Sequence, residues 1–344
     1  MCIDKLHDHE GKLVEFYEPH DHHTHAIHFI MVLADASPSL ERKFVKCLHS
    51  LVEHVSKHVV LHLITDDPPD GNEHLPMSAL AGVDLHVYHG HDLLHKALEK
   101  GGQLVRRLVP GIEAAVRQHL QAKEQGGTGG VLPDVGDVQV QGMTVTQQYL
   151  ALMPFYHLLF PDVDRAVVVD ADIVFQTDAA YLWQIFYAFK AEEIVGAVFE
   201  QQPTFRRVFQ QYRKLHPQTR LGSPPSAGGL RTGNFPGFNT GLVMLHLGRM
   251  RASDMYSEAV YTDLVDHLTR KYILKDRLTP ATLFTMMAVE HPFLFHVLDC
   301  KWNRQTCQAM RGSEHGKVFE QYHRCTSDVA VYHESCNTAV TQDF

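Results

Sequence analysis

Length, composition and charge narrow the class of protein before any motif is considered. The chain has 344 residues, 44% of them hydrophobic and 21% charged, values that are typical of a globular protein and exclude wholesale disorder. Its 31 Lys and Arg residues face 40 Asp and Glu residues, for a net charge of −9, so no basic excess is available to neutralise nucleic-acid phosphates or an anionic membrane. We therefore expect no nucleic-acid partner, and one large domain with insertions or a tail.

The N-terminal segment is polar and rich in histidine. Residues 1–26 contain His7, His9, His20, His22, His23 and His25. We predict that this segment is a disordered arm, and the alternative that such a tract allows is a zinc or copper site. The first residues, Met1–Lys5, lack the apolar core of a signal peptide. No apolar run reaches the roughly 18 residues that a membrane-spanning helix requires.

From residue 27 onwards, strand and helix patterns alternate. A continuous apolar run at 27–34 predicts a buried strand, and further strands are predicted at 59–65 and 83–89. Apolar residues at helical spacing predict helices at 44–55 and 93–121. This order is typical of the first part of an α/β domain.

The alternation resumes after a glycine-rich stretch. Residues 125–143, which include six glycines, are predicted to form a surface insertion. Beyond it the sequence predicts a helix at 146–159, a short strand at 166–169, a helix at 181–190, a strand at 194–199 and a buried run at 242–247. The whole pattern predicts a single α/β domain over residues 27–344, with a mostly parallel central sheet and helices on both faces.

Two aspartates, Asp170 and Asp172, follow the short strand predicted at 166–169. In open α/β sheets ligands bind at the carboxyl ends of the strands, and residues two apart on an extended chain point to the same side. Both carboxylates can therefore reach one hard cation such as Mg²⁺ or Mn²⁺, and such ions typically also hold substrate phosphates. An Asp-x-Asp sequence alone is a weak signal, because surface aspartate pairs usually bind nothing.

Four of the six cysteines lie close together near the C-terminus, at Cys300, Cys307, Cys325 and Cys336. They permit three pairings, among which the sequence does not choose. Because no C-x-x-C pair is present, we favour two disulfides over a zinc site, and disulfides imply an oxidising compartment. That compartment disagrees with the missing signal peptide, and we expect a truncated N-terminus to be the reason.

Four ordered segments in the C-terminal half carry a family resemblance. They are His216–Arg220 with the Gly and Pro-Pro that follow, Phe235–Gly241, the run from Glu290 to Gln305, and Val331–His333 with Cys336–Thr338. A chain with these segments resembles the xyloside xylosyltransferases of glycosyltransferase family 8, and the similarity extends over about residues 27 to 337. The resemblance implies the GT-A fold, an α/β fold that binds nucleotide sugars.

The resemblance also implies an activity and a location. Enzymes of this kind move xylose from UDP-xylose onto an O-linked xylosyl-glucose of EGF repeats, such as those of Notch, with retention of configuration. They are type II membrane proteins of the endoplasmic reticulum, so we expect that location, with the membrane contacted only through a segment absent from this chain. A homodimer is also possible.

Particular residues take on roles by the same resemblance, although none is clearly catalytic. Asp170, Asp172 and His333 are expected to hold Mn²⁺, with Mg²⁺ as the alternative. The remaining assignments are donor contacts at Val32, Leu33, Ala34, Ala171 and Thr240, acceptor contacts at Arg207 and Ser335, and disulfides Cys300–Cys325 and Cys307–Cys336. We add Asn239 to the donor contacts because it stands shortly before a glycine and a buried strand.

The chain departs from the family pattern at functional positions. Residues 279–282 read Thr-Pro-Ala-Thr where the family has Gly-Asp-Gln-Asp, a segment that helps hold the donor sugar. Gln147 replaces an acidic residue, and Gln308–Met310 replaces tryptophans on the acceptor side. Glu334 replaces the glycine after the metal-binding histidine, where a carboxylate would repel a diphosphate unless it points away.

Two hypotheses follow from these departures. In the first, the chain is an active transferase whose acceptor, and even donor, has diverged; the intact metal triad favours it, because retention without a protein nucleophile needs mainly positioning and leaving-group stabilisation. In the second, it is a pseudoenzyme that binds nucleotide or an EGF-like glycoprotein without turnover. The altered segment at 279–282 favours the second, unless those residues reflect an error in the gene model. A generic Mg²⁺-dependent phosphotransferase is disfavoured, because the sequence has no glycine-rich phosphate loop.

Overall fold

The computed structural model describes residues 5–7, 13–15, 26–34, 37–66, 82–110, 143–261, 264–276, 278–312 and 316–337. Its strands are β1 Lys5–His7, β2 Leu13–Glu15, β3 Ala26–Leu33, β4 His58–Thr65, β5 Val83–His89, β6 Ala166–Val169, β7 Ile173–Phe175, β8 Val195–Phe199, β9 Phe238–Leu245, β10 Phe295–Leu298, β11 Arg304–Gln305 and β12 Val331–His333. Its helices are α1 Pro38–His54, α2 Gly90–Leu108, α3 Val145–Leu150, α4 Tyr156–Leu159, α5 Ala179–Gln184, α6 Thr204–Val208, α7 Gln210–Leu215, α8 Gly229–Thr232, α9 Leu247–Ala252, α10 Asp254–Tyr261, α11 Leu264–Lys271, α12 Pro280–Glu290 and α13 Gly316–His323. Short 3₁₀ turns lie at Met153–Phe155, Ile185–Ala188, Pro292–Leu294, Cys300–Asn303 and Ser335–Asn337.

A seven-stranded sheet forms the centre of the described structure, in the order β10-β8-β9-β6-β3-β4-β5. Neighbouring strands are parallel except for the β6–β9 and β8–β9 pairs, so β9 runs opposite to the others. The predicted mostly parallel sheet is therefore confirmed. The predicted strands agree with β3, β4, β5, β6 and β8 to within about one residue at each end, whereas β9 begins four residues before the run predicted at 242–247.

Hydrophobic cores cover both faces of this sheet. Alternate residues of β3 enter opposite cores, with Ile30 and Val32 in one and Phe29 and Met31 in the other. Helix α2 packs into the first core, and α1 packs into the second through an apolar stripe that includes Phe44. Burial on both sides explains why the central strands read as continuous apolar runs, and it confirms the prediction of helices on both faces.

Local sequence decides where the helices begin and break. The Ser37 side chain accepts a hydrogen bond from the Leu40 amide over 3.2 Å, and Pro38 occupies the first turn, so α1 starts with both signals of a helix N-terminus. The single helix predicted at 146–159 is wrong. Pro154 lies in the middle of that segment, and α3 and α4 are separate helices joined through the 3₁₀ turn that contains it.

A second sheet of three strands brings the C-terminal end of the chain to the centre. Within it β12 lies between β11 and β7, parallel to the first and antiparallel to the second. In this register His333 pairs with Ile173, the first residue of β7. Because only residues 170–172 separate β6 from β7, the pairing places His333 beside the Asp170–Asp172 turn.

Two disulfides cross-link the C-terminal segment. Cys300 is bonded to Cys325 and Cys307 to Cys336, which is the pairing implied by the resemblance. Closing loops of this length restricts the unfolded chain and stabilises the fold by about 3 kcal/mol for each bond in the chain-entropy account. Both bonds flank β12, so they help to hold His333 in place.

Some predictions concern segments that are only partly described. Strands β1 and β2 pair antiparallel within residues 1–26, which the sequence predicted to be a disordered arm. Most of the insertion predicted at 125–143, and residues 111–121 of the helix predicted at 93–121, lie outside the described residues. Among the described residues, no helix combines the length and the apolar character needed to cross a membrane.

Buried His157 on α4 predicts that the protein loses stability in mild acid. The residue is 1% exposed, its ring packs against Tyr256, and burial lowers its pKa from 6.5 to about 4. Between these two pH values His157 is protonated in the unfolded chain but not in the folded chain, so the free energy of unfolding falls as the pH drops from 6.5 towards 4. We expect His157 to account for a loss of roughly 2 kcal/mol in the free energy of unfolding between about pH 7 and pH 5.

Urea unfolding of the wild type and H157L at both pH values measures this contribution. Leucine has a similar volume and does not titrate, so the H157L variant should lose roughly 2 kcal/mol less than the wild type over the same interval. Equal losses in the two proteins would contradict the prediction, whatever the absolute stability of H157L.

Candidate metal centre and adjoining cleft

The turn Asp170–Asp172 joins two fully buried strands, β6 and β7. The Asp170 amide donates to the Gly241 carbonyl on β9 over 2.8 Å, and the Ile173 amide donates to the Asp170 carbonyl over 3.3 Å. These bonds fix the turn at the carboxyl end of β6, in the middle of the sheet. The two carboxylates therefore emerge where ligands bind in open α/β sheets.

His333 completes a three-residue cluster with these aspartates. Its Nε2 lies 3.2 Å from Asp172 Oδ1 and 3.8 Å from Asp170 Oδ2. One ligand atom from each of the three side chains lies within 4.8 Å of the others. The structure thus brings together the three residues that the resemblance named as metal ligands.

The chemistry and the space of this cluster fit a divalent cation. Two carboxylate oxygens and one imidazole nitrogen are ligands that suit Mn²⁺, and the oxygens also suit Mg²⁺. The imidazole lies directly against Gly241 of β9, where a β-carbon would come within 2.2 Å of His333 Cε1. Only glycine at that position leaves the ring room to face the aspartates.

Each of the three side chains alters the protonation of the others. Burial raises the pKa of Asp170 to about 6. Burial would also raise the pKa of Asp172, but a hydrogen bond and charge from His333, with the ammonium of Lys43, hold it below its usual value. Burial opposes protonation of His333, yet the two carboxylates raise its pKa. The cluster therefore favours added positive charge, and a divalent cation supplies more of it than a proton does.

Helix α1 contributes two lysines that the sequence interpretation missed. Lys43 Nζ lies 3.4 Å from Asp172 Oδ2, and Lys46 forms an ion pair with Glu334. Glu334 is the carboxylate expected to repel a diphosphate unless it points away. Because Lys46 neutralises its charge, we no longer expect that repulsion. The two lysines are three residues apart, on one face of the helix.

We expect that removing Lys46, the partner of Glu334, measurably lowers the free energy of unfolding. The Glu334 side chain is 6% exposed, so the K46M variant would leave a buried carboxylate without this ammonium. Because Lys46 itself is 43% exposed, solvent weakens the pair, and we expect K46M to lose about 1 to 2 kcal/mol of unfolding free energy. The double variant K46M/E334Q should recover most of the loss in urea unfolding. If K46M matches the wild type, the pair contributes nothing.

A cleft of about 170 Å³ opens beside Asp170. Polar side chains of Gln147, Asp170, Thr240 and Thr279 share its wall with apolar groups of Met143, Leu150, Ala151, Met153, Leu278 and Pro280. Thr240, predicted to face the donor, thus lines the same cleft as Asp170. So do Gln147 and Thr279–Pro280, which are positions where this chain departs from the family pattern.

The other predicted donor contacts are mostly buried. Val32, Leu33 and Ala34 are at most 5% exposed, so the end of β3 offers a ligand its backbone and not its side chains. Ala171 is also buried, between the two aspartates. Asn239 lies behind His333, where its Oδ1 accepts a hydrogen bond from the Gly241 amide over 3.0 Å.

Both predicted acceptor residues lie outside the metal cluster. Arg207 is exposed on α6, and Ser335 is partly exposed two residues after His333. Thr204, at the start of α6, contacts the Met310 sulfur over 3.8 Å. The segment that replaces the family's tryptophans therefore packs against the helix that carries Arg207.

Comparison with known proteins agrees with this geometry. Residues 139–324 match the family model described as Glycosyl transferase family 8, a span that includes both aspartates and ends before His333. Over 188 residues the chain is 40% identical to xyloside xylosyltransferase 1 of Homo sapiens, covering 54% of this chain and 46% of that protein. Over 175 residues it is 29% identical to xylosyl- and glucuronyltransferase LARGE1 of Danio rerio, covering 50% of this chain and 19% of that protein.

A solved structure extends the likeness to most of the fold. The apo crystal structure of mouse xyloside xylosyltransferase 1 matches with a TM-score of 0.73 and 26% identity, over 92% of this chain and 99% of that one. The predicted GT-A fold is therefore confirmed. The chain spans about half the length of the curated xyloside xylosyltransferases it matches.

Proposed function

Because the chain belongs to glycosyl transferase family 8, we propose that it is a retaining glycosyltransferase that moves xylose from UDP-xylose onto an O-linked xylosyl-glucose of EGF repeats. The observation that carries the proposal is the convergence of Asp170, Asp172 and His333 at the carboxyl end of β6. The 40% identity to a xyloside xylosyltransferase supports xylose as the sugar. Two disulfides support an oxidising compartment, and we propose the lumen of the endoplasmic reticulum.

In this proposal Asp170, Asp172 and His333 hold Mn²⁺, with Mg²⁺ as the alternative. A cation at this site neutralises the diphosphate leaving group as the glycosidic bond breaks. Lys43 adds positive charge on the α1 side of Asp172. We place the nucleotide along the backbone at the end of β3 and at Ala171, and the donor sugar in the cleft against Thr240.

The cleft walls orient the sugar and keep water from it. Apolar side chains share its lining with Asp170, Thr240 and two other polar residues, and a sugar that fills the cleft displaces water, which limits competing hydrolysis of the donor. An acceptor approaching along α6 would contact Arg207, and Ser335, two residues after the metal ligand His333, is the second proposed acceptor contact. Retention then depends on holding donor and acceptor in register, because no protein nucleophile is required.

One observation favours the pseudoenzyme as the second candidate. At the two cleft positions where the departing residue is polar, the side chains form helix caps. Thr279 accepts from the Thr282 amide over 3.2 Å at the start of α12, and Gln147 accepts from the Thr144 amide over 3.3 Å in a capping box. Side chains held in this way are poorly placed to bind sugar hydroxyls.

Release of UDP from UDP-xylose separates the two candidates. We would measure it in Mn²⁺ with and without a xylosyl-glucose acceptor, across a panel of other nucleotide sugars, and measure UDP binding in parallel. Acceptor-stimulated turnover of UDP-xylose is the expected result. Turnover of another donor only would overturn the choice of sugar, and tight UDP binding without turnover of any donor would establish the pseudoenzyme.

A further inference from the structure

A line of hydrogen bonds runs from His333 into the interior, away from the aspartates. His333 Nδ1 lies 3.1 Å from Asn303 Oδ1, Asn303 Nδ2 donates to Asn239 Oδ1 over 2.9 Å, and Asn239 Nδ2 donates to Glu200 Oε2 over 3.2 Å. The four residues come from β12, the 3₁₀ turn at Cys300–Asn303, β9 and the position that follows β8. Asn303 and Glu200 are buried, so solvent does not compete for these bonds.

One backbone group fixes the direction of the whole line. The Gly241 amide donates to Asn239 Oδ1 over 3.0 Å, and a backbone N–H can only donate. The atom it meets must therefore be the amide oxygen of Asn239, which turns the Asn239 NH₂ group towards Glu200. The other group on that oxygen must be the NH₂ group of Asn303, which leaves the Asn303 oxygen for His333.

Without metal both ring nitrogens of His333 face acceptors, because Nε2 lies 3.2 Å from Asp172 Oδ1. When a cation takes Nε2, the ring keeps its proton on Nδ1. The Asn303 oxygen can only accept, so Nδ1–H must donate to it. Nε2, the atom that faces Asp170 and Asp172, then offers its lone pair to the cation. The tautomer needed for metal binding is thus set by hydrogen bonds on the far side of the ring.

Glu200 closes the line with an acceptor. Its Oε1 accepts from the Gln202 amide over 3.1 Å, and its Oε2 accepts from Asn239. Every N–H in the line points towards this carboxyl group, so the bonds polarise one another in the same sense. Burial raises the pKa of Glu200 to about 7, and the surrounding N–H donors favour its ionised form. In many metal sites a carboxylate accepts the ring proton of the metal-binding histidine directly. Here the side-chain amides of Asn303 and Asn239 lie between His333 and the carboxylate of Glu200.

We propose that Asn303, Asn239 and Glu200 form a positioning relay that holds His333 in the orientation and tautomer with which Nε2 binds a divalent cation. The proposal rests on the metal-dependent function proposed above. In this reading Asn239 acts through His333, and any contact it makes with the donor is additional. The relay residues are positioning residues, because none of them touches the cation.

The tautomer of His333 is the first test and needs no variant in the relay. In protein labelled with ¹⁵N-histidine and saturated with Mg²⁺, a diamagnetic cation, the His333 signals are those absent from the H333A spectrum. We expect the shifts of a ring protonated at Nδ1. A ring protonated at Nε2 overturns the proposal, and this readout does not depend on whether the protein transfers any sugar.

Mn²⁺ affinity in the absence of nucleotide is the second test, measured by electron paramagnetic resonance of the free ion. Removing the acceptor of the His333 proton in N303L should weaken Mn²⁺ binding by about 10- to 100-fold, and removing the distant charge in E200Q by roughly threefold to tenfold. E193Q is the matched control, because Glu193 is also buried and also pairs with a histidine, His296, but lies outside the relay. It should bind Mn²⁺ like the wild type.

The outcomes separate the relay from the proposed function. If folded N303L and E200Q both bind Mn²⁺ as E193Q does, the relay does not act on the metal and the proposal is wrong. If N303L fails to fold, E200Q decides, because glutamine has nearly the shape of glutamate. If the wild type binds no Mn²⁺ at all, the proposed metal dependence is wrong. The relay then has no role in metal binding, even when Nδ1 carries the proton.

Discussion

Replacing Asp170 or Asp172 by asparagine should lower Mn²⁺-dependent release of UDP from UDP-xylose by about a hundredfold to a thousandfold. Asparagine keeps the shape of the side chain but removes the charge that binds the cation. Several kcal/mol of stabilisation of the developing diphosphate charge are lost with it. Steady-state kinetics of UDP release, together with Mn²⁺ binding, measure both effects.

The stability of the same variants distinguishes a binding defect from a folding defect. Burial raises the pKa of Asp170 to about 6, so without metal its carboxylate is held at a cost in a site shared with Asp172. D170N should therefore unfold, without metal, at the same temperature as the wild type or a higher one. D164N is the control, because Asp164 is 82% exposed and pairs with Arg251 away from the cleft. Wild-type Mn²⁺ affinity in both D170N and D172N would refute the metal site.

The central part of the fold was predictable because its strands are buried on both faces. Segments such as 27–34 and 166–169 consist almost wholly of apolar residues, and burial of this kind produces a signal that does not depend on distant contacts. The aspartates at 170 and 172 follow directly from that strand in sequence. Their place at the carboxyl end of a central strand was therefore predictable from local sequence alone.

Other parts of the site depend on contacts between distant segments. His333 reaches the aspartates only because β12 pairs with β7, a register that no local pattern reveals and that the family resemblance supplied. Lys43 and Lys46 look like ordinary surface lysines of an amphipathic helix, and their acidic partners lie more than a hundred residues away. Asn303 lies within a segment used for the resemblance, yet its role appears only in the hydrogen bonds it makes.

Several of the departures from the family pattern lie in the same cleft. Gln147 precedes Asp170 in sequence, and Thr279 and Pro280 follow it by more than 100 residues. All four residues nevertheless line one cleft. Under the proposed function, a change in this cleft would affect the donor sugar and leave the metal ligands intact. The structure therefore separates two questions, whether the protein binds a metal and nucleotide and whether it still holds a reactive sugar, and UDP binding and UDP release answer them independently.

Substitution of Gly241 by alanine should disrupt the metal site without touching a metal ligand. A β-carbon at this position would lie 2.2 Å from His333 Cε1 and 2.6 Å from Nδ1, distances that force the ring to move. Overpacking of this kind costs about 1 to 3 kcal/mol. Because the displaced ring can no longer meet both aspartates, we also expect Mn²⁺ affinity to fall by at least about tenfold.

A double-mutant cycle shows whether the imidazole is the cause. If the clash with His333 destabilises G241A, then removing the ring in G241A/H333A should restore most of the lost unfolding free energy, so the two changes would be strongly non-additive. G312A is the matched control, because a β-carbon at Gly312 meets no atom within 4 Å and the variant should behave like the wild type. Additive losses in G241A and H333A would mean that Gly241 is needed for the structure of β9 and not to make space for the imidazole.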